Sequence, residues 1–295
     1  MPHKPVLLRE VIKIFDPKPG EYYIDATING GGHAKAILEE ISQDGKLLGI
    51  DWDCDLIHEL EIKYQKLNIK NIKLICGNYA NIKHIAGKHN FSKASGILFD
   101  LGFSSYHIKE SQKGFSFLKD EPLDMRYSKQ NEKTAEKIIN NESEKAIENI
   151  IREYGEERFA AGIARGIVDY RKKKRIAGTS ELVRIIGGSV PRAYLKNRLH
   201  FATKTFQALR MAVNNELDNI QIGLKDALDL LPPFGKIIVV SFHSIEDRIV
   251  KNFFKERSRE GMVNILTNKP LTPSLEEIKE NPRSRSAKLR ACVKK

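Results

Sequence analysis

Short runs of apolar residues recur along the first third of the chain, and each closes on an acid, an asparagine or a glycine. Tyr22-Tyr23-Ile24 ends at Asp25, and Lys46-Leu47-Leu48-Gly49-Ile50 at Asp51. Ile72-Lys73-Leu74-Ile75-Cys76 gives way to Gly77-Asn78-Tyr79, and Gly96-Ile97-Leu98-Phe99 ends at Asp100. Such runs, bounded by turn residues, predict buried strands. Between them, Leu7 to Phe15, Ala34 to Glu40 and the series Leu56, Ile57, Leu60, Tyr64 carry helical character. Strands alternating with helices predict a mostly parallel sheet covered on both faces.

The pattern changes after Asp100. Ser104 to Lys129 is irregular, and residues 134–200 carry helical signals only. Ile147, Ile150, Ile151 and Tyr154 step at helical spacing up to Gly155, and Thr179 and Ser180 offer caps for a helix stopped at Gly187-Gly188. Phe206, Leu209, Val213, Leu217, Ile220, Leu224, Leu228 and Leu231 predict one long amphipathic helix. Lys236 to Ser241 is the most strand-like run, followed by a helix from Ile245 to Phe254 and weaker strands near Val263–Leu266 and Leu289–Val293. The outline is an α/β fold with a seven-stranded, mostly parallel sheet and an inserted all-helical domain. The expected boundaries are 1–108 with 203–295 for the core and 109–202 for the insert.

Parallel topology collects Asp25, Asp51, Asn78 and Asp100 at one edge, where open α/β sheets bind ligands. Asn29-Gly30-Gly31-Gly32-His33 follows the first strand and opens a helix, the arrangement that brings backbone N–H groups to a small ligand; an ordinary tight turn is the plainer reading. The Gly-x-Gly-x-x-Gly spacing of dinucleotide sites is absent, as is the Gly-Lys-Ser/Thr of a nucleoside triphosphate loop. S-adenosylmethionine fits the residue types better. Asp51 can accept from ribose hydroxyls, or else cap a helix. Backbone N–H groups and an acid near the first strand suit the methionine end, Tyr79 can wall the adenine, and carboxylates or aromatic faces suit a sulfonium.

Composition adds a partner. The 295 residues are 41% hydrophobic, enough for a packed core, and no apolar run approaches the ~20 residues of a membrane span. The formal net charge is +12. Arg171-Lys172-Lys173-Lys174-Arg175, the span from Leu182 to Asn215, and the last fifteen residues are rich in bases and free of acids. Each could be a solvated face; together they point to nucleic acid rather than a membrane surface. Cys54, Cys76 and Cys292 are odd in number and lack Cys-x-x-Cys spacing. That argues against a disulfide framework and against a zinc site, so no metal is expected, and it suits a reducing compartment. With no signal-peptide pattern at the N-terminus, the expected location is cytoplasmic.

Several longer stretches carry a resemblance. They include His3-Lys4-Pro5-Val6-Leu7-Leu8, Asp25-Ala26-Thr27, Gly31-Gly32-His33, Asp100-Leu101-Gly102-Phe103-Ser104-Ser105 and Gly114-Phe115-Ser116-Phe117. Pro122-Leu123-Asp124-Met125-Arg126, Tyr154-Gly155-Glu156-Glu157-Arg158 and Thr203 to Arg210 continue the series. Val240 to Arg248, Asn281-Pro282-Arg283 and Ser286 to Arg290 complete it. In order and nearly end to end, they resemble the ribosomal RNA small subunit methyltransferase H (RsmH, or MraW) family. The resemblance implies a class I, Rossmann-like methyltransferase core that uses S-adenosylmethionine. It implies methylation of the exocyclic N4 of a cytidine in the decoding region of 16S rRNA, with the small ribosomal subunit as partner. It also implies cofactor contacts at Gly31, Gly32, His33, Asp51, Tyr79, Asp100 and His107, beside the Asp25 read from the strand end. This chain departs from the family pattern at Asn29 (usually Gly), at Tyr79 (usually Phe) and just before His107.

A cytosine amine is a poor nucleophile, because its lone pair is delocalised into the ring. A site that accepts hydrogen bonds from the N–H groups turns the lone pair out, and a carboxylate, hydroxyl or carbonyl suffices. Asp100, Ser104 and Ser105 are the expected acceptors, with Asp124, Arg126 and His243 on the cytidine side. His243 could instead cap the helix that follows it, and Glu156-Glu157-Arg158 reads as an internal ion-pair device rather than chemistry. The rival readings are an amino-methyltransferase acting on another RNA or DNA, and an RNA-binding protein that has lost catalysis.

Overall fold

The computed structural model describes residues 5–102, 111–197 and 199–295. Its first unit comprises residues 1–104 and 217–295. The chain enters through α1 (Leu8–Phe15), then alternates β1 (Tyr22–Asp25), α2 (Gly32–Ile41), β2 (Lys46–Asp51), α3 (Cys54–Lys66), β3 (Ile72–Cys76), α4 (Ile82–Lys88) and β4 (Gly96–Asp100). After the second unit it resumes with α11 (Glu216–Leu230), β5 (Lys236–Ser241), α12 (Ser244–Arg259), β6 (Val263–Ile265), α13 (Leu275–Glu280) and β7 (Lys288–Lys294).

The sheet order is β3-β2-β1-β4-β5-β7-β6. Neighbours from β3 to β5 are parallel, and β7 runs antiparallel to both β5 and β6. The seven-stranded, mostly parallel expectation holds. β4 is buried throughout and β5 is buried except at its first residue, which is why these strands read as unbroken apolar runs. Ile24, Leu48, Ile50, Ile97, Phe99, Ile237 and Val239 build the core together with Ile220, Leu224 and Leu228 of α11. The strand order reverses between β1 and β4, so their carboxyl ends flank the switch point where such sheets take ligands.

The second unit, residues 105–216, contains α5 (Ala135–Asn141), α6 (Glu144–Gly155), α7 (Ala160–Arg171), α8 (Thr179–Gly188), α9 (Arg192–Leu195) and α10 (Thr203–Asn214). Its own core gathers Ile138, Ile147, Ile151, Ile163, Ile167, Leu182 and Ile186. Thr134 and Ser143 cap α5 and α6 through their side chains, as expected of these residue types.

The single long helix expected from Phe206 to Leu231 is broken. Asn215 takes a left-handed φ of 48° between α10 and α11, which asparagine tolerates better than most residues. Phe206, Leu209 and Val213 belong to the helical core, whereas Ile220, Leu224 and Leu228 belong to the sheet core. The compact helical unit runs on to Glu216. Helical periodicity reads alike on both sides of the break and does not say which core an apolar stripe faces.

Candidate active site

The turn after β1 is built by the chain's own packing. Gly31 has φ 73°, and a Cβ there would lie 2.7 Å from the Tyr64 hydroxyl, which donates to the Gly31 carbonyl at 3.0 Å. A Cβ on Gly32 would meet the Pro5 ring at 2.9 Å. Internal close approach alone requires glycine at both positions.

Asn29, buried and with φ 48°, holds two strand ends together. Its backbone N–H donates to Asp51 Oδ2 at 3.1 Å, and its side-chain amide donates to the Asp100 carbonyl at 3.1 Å. The Asp53 N–H donates to the other oxygen of Asp51 at 3.0 Å, so two backbone donors orient that carboxylate at the end of β2. Asp51 does not cap α3; Asp53 does, accepting from the Asp55 N–H at 3.0 Å.

Asp25 and Asp100 are buried. Burial pushes Asp25 up to about 7, the Thr27 N–H partly offsets it, and the charge of Asp51 adds the smallest, upward push. Burial, and then the charges of Asp25 and Glu246, raises Asp100 well above the usual carboxylate range. Thr27 Oγ1 accepts the Asp100 backbone N–H at 2.6 Å. Asp100 Oδ2 lies 3.6 Å from His33 Nδ1, while Oδ1 is buried with no hydrogen-bond partner among the described residues. His33 is itself buried, its Nε2 2.9 Å from the Val6 carbonyl, so the ring is placed to orient Asp100. Tyr79 follows β3, half-buried, with its ring edge-on to Phe99 at 5.7 Å. Phe103 to Glu110, which include Ser104, Ser105 and His107, lie outside the described residues.

Other expected site residues are occupied structurally. His243 is the N-cap of α12, its Nδ1 accepting from the Glu246 N–H at 3.4 Å and its Nε2 2.9 Å from Glu246 Oε1. His243 thus makes the cap, while its buried Nε2 has no hydrogen bond among the described residues. In the helical unit, Arg126 holds Asp124 through two side-chain bonds of 2.7 and 2.9 Å and also donates to the Asn131 carbonyl. Asn214 fixes that loop by donating to the Met125 carbonyl and accepting from the Tyr127 N–H. Among the described residues, buried Glu157 makes no ion pair. It accepts from the Phe159 N–H and the Tyr194 hydroxyl, while Arg158 stacks over both of those rings.

The first and last basic stretches are largely engaged too. Arg171 donates to the Ile139 and Glu142 carbonyls, and Lys172, Lys174 and Arg175 pair with Asp169, Glu181 and Glu136. Near the C-terminus, Lys288 and Arg290 hold Asp247, and Lys294 donates to the Leu228 and Leu231 carbonyls. The cysteine reading is corrected: Cys54, at the start of α3, and Cys76, at the end of β3, form a disulfide, and both are exposed. An odd count does not exclude one pair, and their adjacency arises only because β2 and β3 lie side by side.

This sheet order, with acids ending β1, β2 and β4 around the switch point, defines a Rossmann-like methyltransferase core. The chain belongs to the MraW methylase family, whose pattern it matches over residues 1–295. The ribosomal RNA small subunit methyltransferase H of Persephonella marina is 46% identical over 288 residues, 98% of this chain and 97% of that protein. Its counterpart from Dictyoglomus thermophilum is 45% identical over 289 residues, covering 98% and 95%. Among solved structures, an rRNA methylase from Streptococcus thermophilus aligns with a TM-score of 0.47 at 11% identity, over 99% of this chain and 97% of that one.

S-adenosylmethionine is the methyl donor of this methylase, and the residues at the edge suit it. An orphaned, buried carboxylate oxygen on Asp100 and a cluster of three acids favour a cationic ligand, and an oriented Asp51 suits a diol.

Proposed function

We propose that the protein methylates the exocyclic N4 of a cytidine in the decoding region of 16S rRNA. The observation that carries this reading is the acid cluster at the β1, β2 and β4 ends, in a chain whose whole length matches a methylase family. S-adenosylmethionine supplies an electrophilic methyl group. Asp51 binds the ribose hydroxyls and Tyr79 backs the adenine, while Asp25 and Asp100, which burial biases towards the protonated form, lose their protons to water and turn negative when the cationic end is bound. Thr27, Asn29 and His33 hold Asp100 in place.

Acceptors on the segment leaving β4, from Asp100 through Ser104 and Ser105, take the hydrogen bonds of the amine and leave its lone pair facing the methyl group. His107, on the same segment, is assigned to the cofactor. Asp124 and Arg126 brace the cytidine side as a closed pair, and His243 braces Glu246. The target base must be extruded or presented unpaired, as base-modifying enzymes require. No helix among the described residues is long and apolar enough to cross a membrane, in keeping with a cytoplasmic ribosomal substrate.

The test is incubation with labelled S-adenosylmethionine and small subunits lacking the modification, followed by mass-spectrometric mapping. Label in N4-methylcytidine of the decoding region is the expected result. Label on another nucleoside, or in DNA, would move the assignment to another amine acceptor. No transfer at all would leave an RNA-binding protein.

A further inference from the structure

The first and last of the three basic stretches conspicuous in the sequence are largely engaged within the fold, as are Lys204 and Arg210 of the middle one. A fourth stretch adds exposed positive charge on the sheet. From Lys63 to Phe99 the chain carries seven lysines and no acid. Lys70, Lys73 and Lys88 from this stretch line an open groove of about 380 Å³ together with Lys46, Asn71, His89 and Asn90. Leu47, Ile72 and Phe91 form its apolar floor.

Three elements and a loop supply these lysines. Lys46 opens β2, Lys70 precedes β3, Lys73 lies within it, and Lys88 ends α4. All four are exposed, and none makes an ion pair among the described residues. Lys46 is steadied on the Tyr22 ring, its Nζ 5.5 Å from the centroid. Partial burial, and then the charges of Lys73 and Lys88, lowers the His89 pKa, so the imidazole sits in a positive field. A lysine on the outermost strand can serve simply to block edge pairing. That explains Lys73 but not the other three, which lie off the edge strand.

We propose that this groove is a second anchoring site for the RNA substrate, binding its phosphodiester backbone. Lysines on long, mobile stems neutralise phosphates without reading sequence; the groove holds no arginine fork, and its Phe91 ring is buried in the floor. It sits at the amino ends of β2 and β3, opposite the carboxyl edge that carries Asp51 and Asp100. Strands of this length separate the two edges by roughly 17–20 Å. The bound phosphates therefore belong to a different part of the folded RNA from the reacting cytidine. The inference rests on the rRNA reading above.

The test uses the full chain with Lys70→Glu, Lys73→Glu and Lys88→Glu combined, alongside the same three positions changed to Gln. Binding of small-subunit rRNA is titrated at several salt concentrations, with S-adenosylmethionine affinity measured calorimetrically in parallel. The expected result is at least about a tenfold loss of RNA affinity at low salt and a salt slope shallower by about two, with cofactor affinity unchanged. The Gln variant removes charge without reversing it and should show the same slope change; it is the decisive variant if the Glu variant fails to fold. RNA affinity and slope equal to those of the wild type would overturn the proposal. So would a loss confined to vesicles containing phosphatidylglycerol, which would mark a membrane-facing patch. Failure of the wild type itself to bind rRNA would instead remove the functional reading beneath it.

Discussion

The side-chain amide of Asn29 donates to the backbone carbonyl of Asp100, 3.1 Å away and 71 positions along the chain. The same residue's N–H meets Asp51. One buried asparagine thus ties the proposed ribose acceptor to the proposed methionine-end acid. Glycine, usual in the family at this position, could keep the left-handed turn but could not make the side-chain link.

Asn29→Gly isolates that link, because glycine adopts φ 48° freely. Losing one buried hydrogen bond costs about 1 kcal/mol, so S-adenosylmethionine affinity should fall roughly fivefold with a small drop in Tm. Calorimetric titration of both proteins gives the comparison, and equal affinities would remove Asn29 from the positioning role.

Asp51→Asn keeps the shape of the side chain and removes its charge. A hydrogen bond to a charged group is worth about 1.5–3 kcal/mol, which predicts cofactor binding weaker by about ten- to hundredfold. RNA affinity should stay at the wild-type level. Parallel loss of both would indicate damage to the fold rather than to the ribose contact.

Asp25 gives a pH signature. Its folded pKa of about 7 lies above its ordinary value of 3.8, so the folded chain holds the proton more tightly than the unfolded chain. Its contribution favours folding below pH ~4 and is lost as pH rises towards ~7. Asp25→Asn removes this term and can still accept the Thr27 N–H. In thermal melts from pH 4 to 8 without cofactor, the wild type should lose more Tm than the variant. Parallel curves would show that Asp25 is not held protonated.

Reduction of the Cys54–Cys76 disulfide should lower stability. The bond spans a sequence separation of 22. Chain-entropy estimates for such a loop give about 3 kcal/mol, often less in practice. Melts with and without a phosphine reductant should differ for the wild type and coincide for the double Cys→Ser variant. Because the bond joins the segments after Asp51 and before Tyr79, reduction should also loosen cofactor binding. A reductant effect of equal size in the double variant would count against the disulfide as its source.

Much of the architecture was legible in the residues. The apolar runs ending at Asp25, Asp51 and Asp100 specify strands and their direction, because a parallel sheet buried on both faces leaves no other place for them. Strand ends are also where the site lies, so its three acids could be named from the chain alone. Side-chain partnerships could not. The capping role of His243 depends on where Glu246 turns back, and the pairing of Asp124 with Arg126 on a loop fixed by Asn214. Asn29 declared itself only as a departure from a family pattern, and its two bonds need β1, β2 and β4 side by side.

Charge shows the same division most sharply. The sequence determined that this protein is basic, and where its bases cluster. Only the tertiary structure decided which of them find distant partners, because Glu136 for Arg175 and the Ile139 carbonyl for Arg171 are brought up by packing across tens of residues. Arg171 to Arg175, the densest run, is largely consumed that way, whereas lysines scattered between Lys46 and Lys88 converge on one groove. Local sequence specifies which groups a segment carries; the fold specifies which of them meet a partner in the chain.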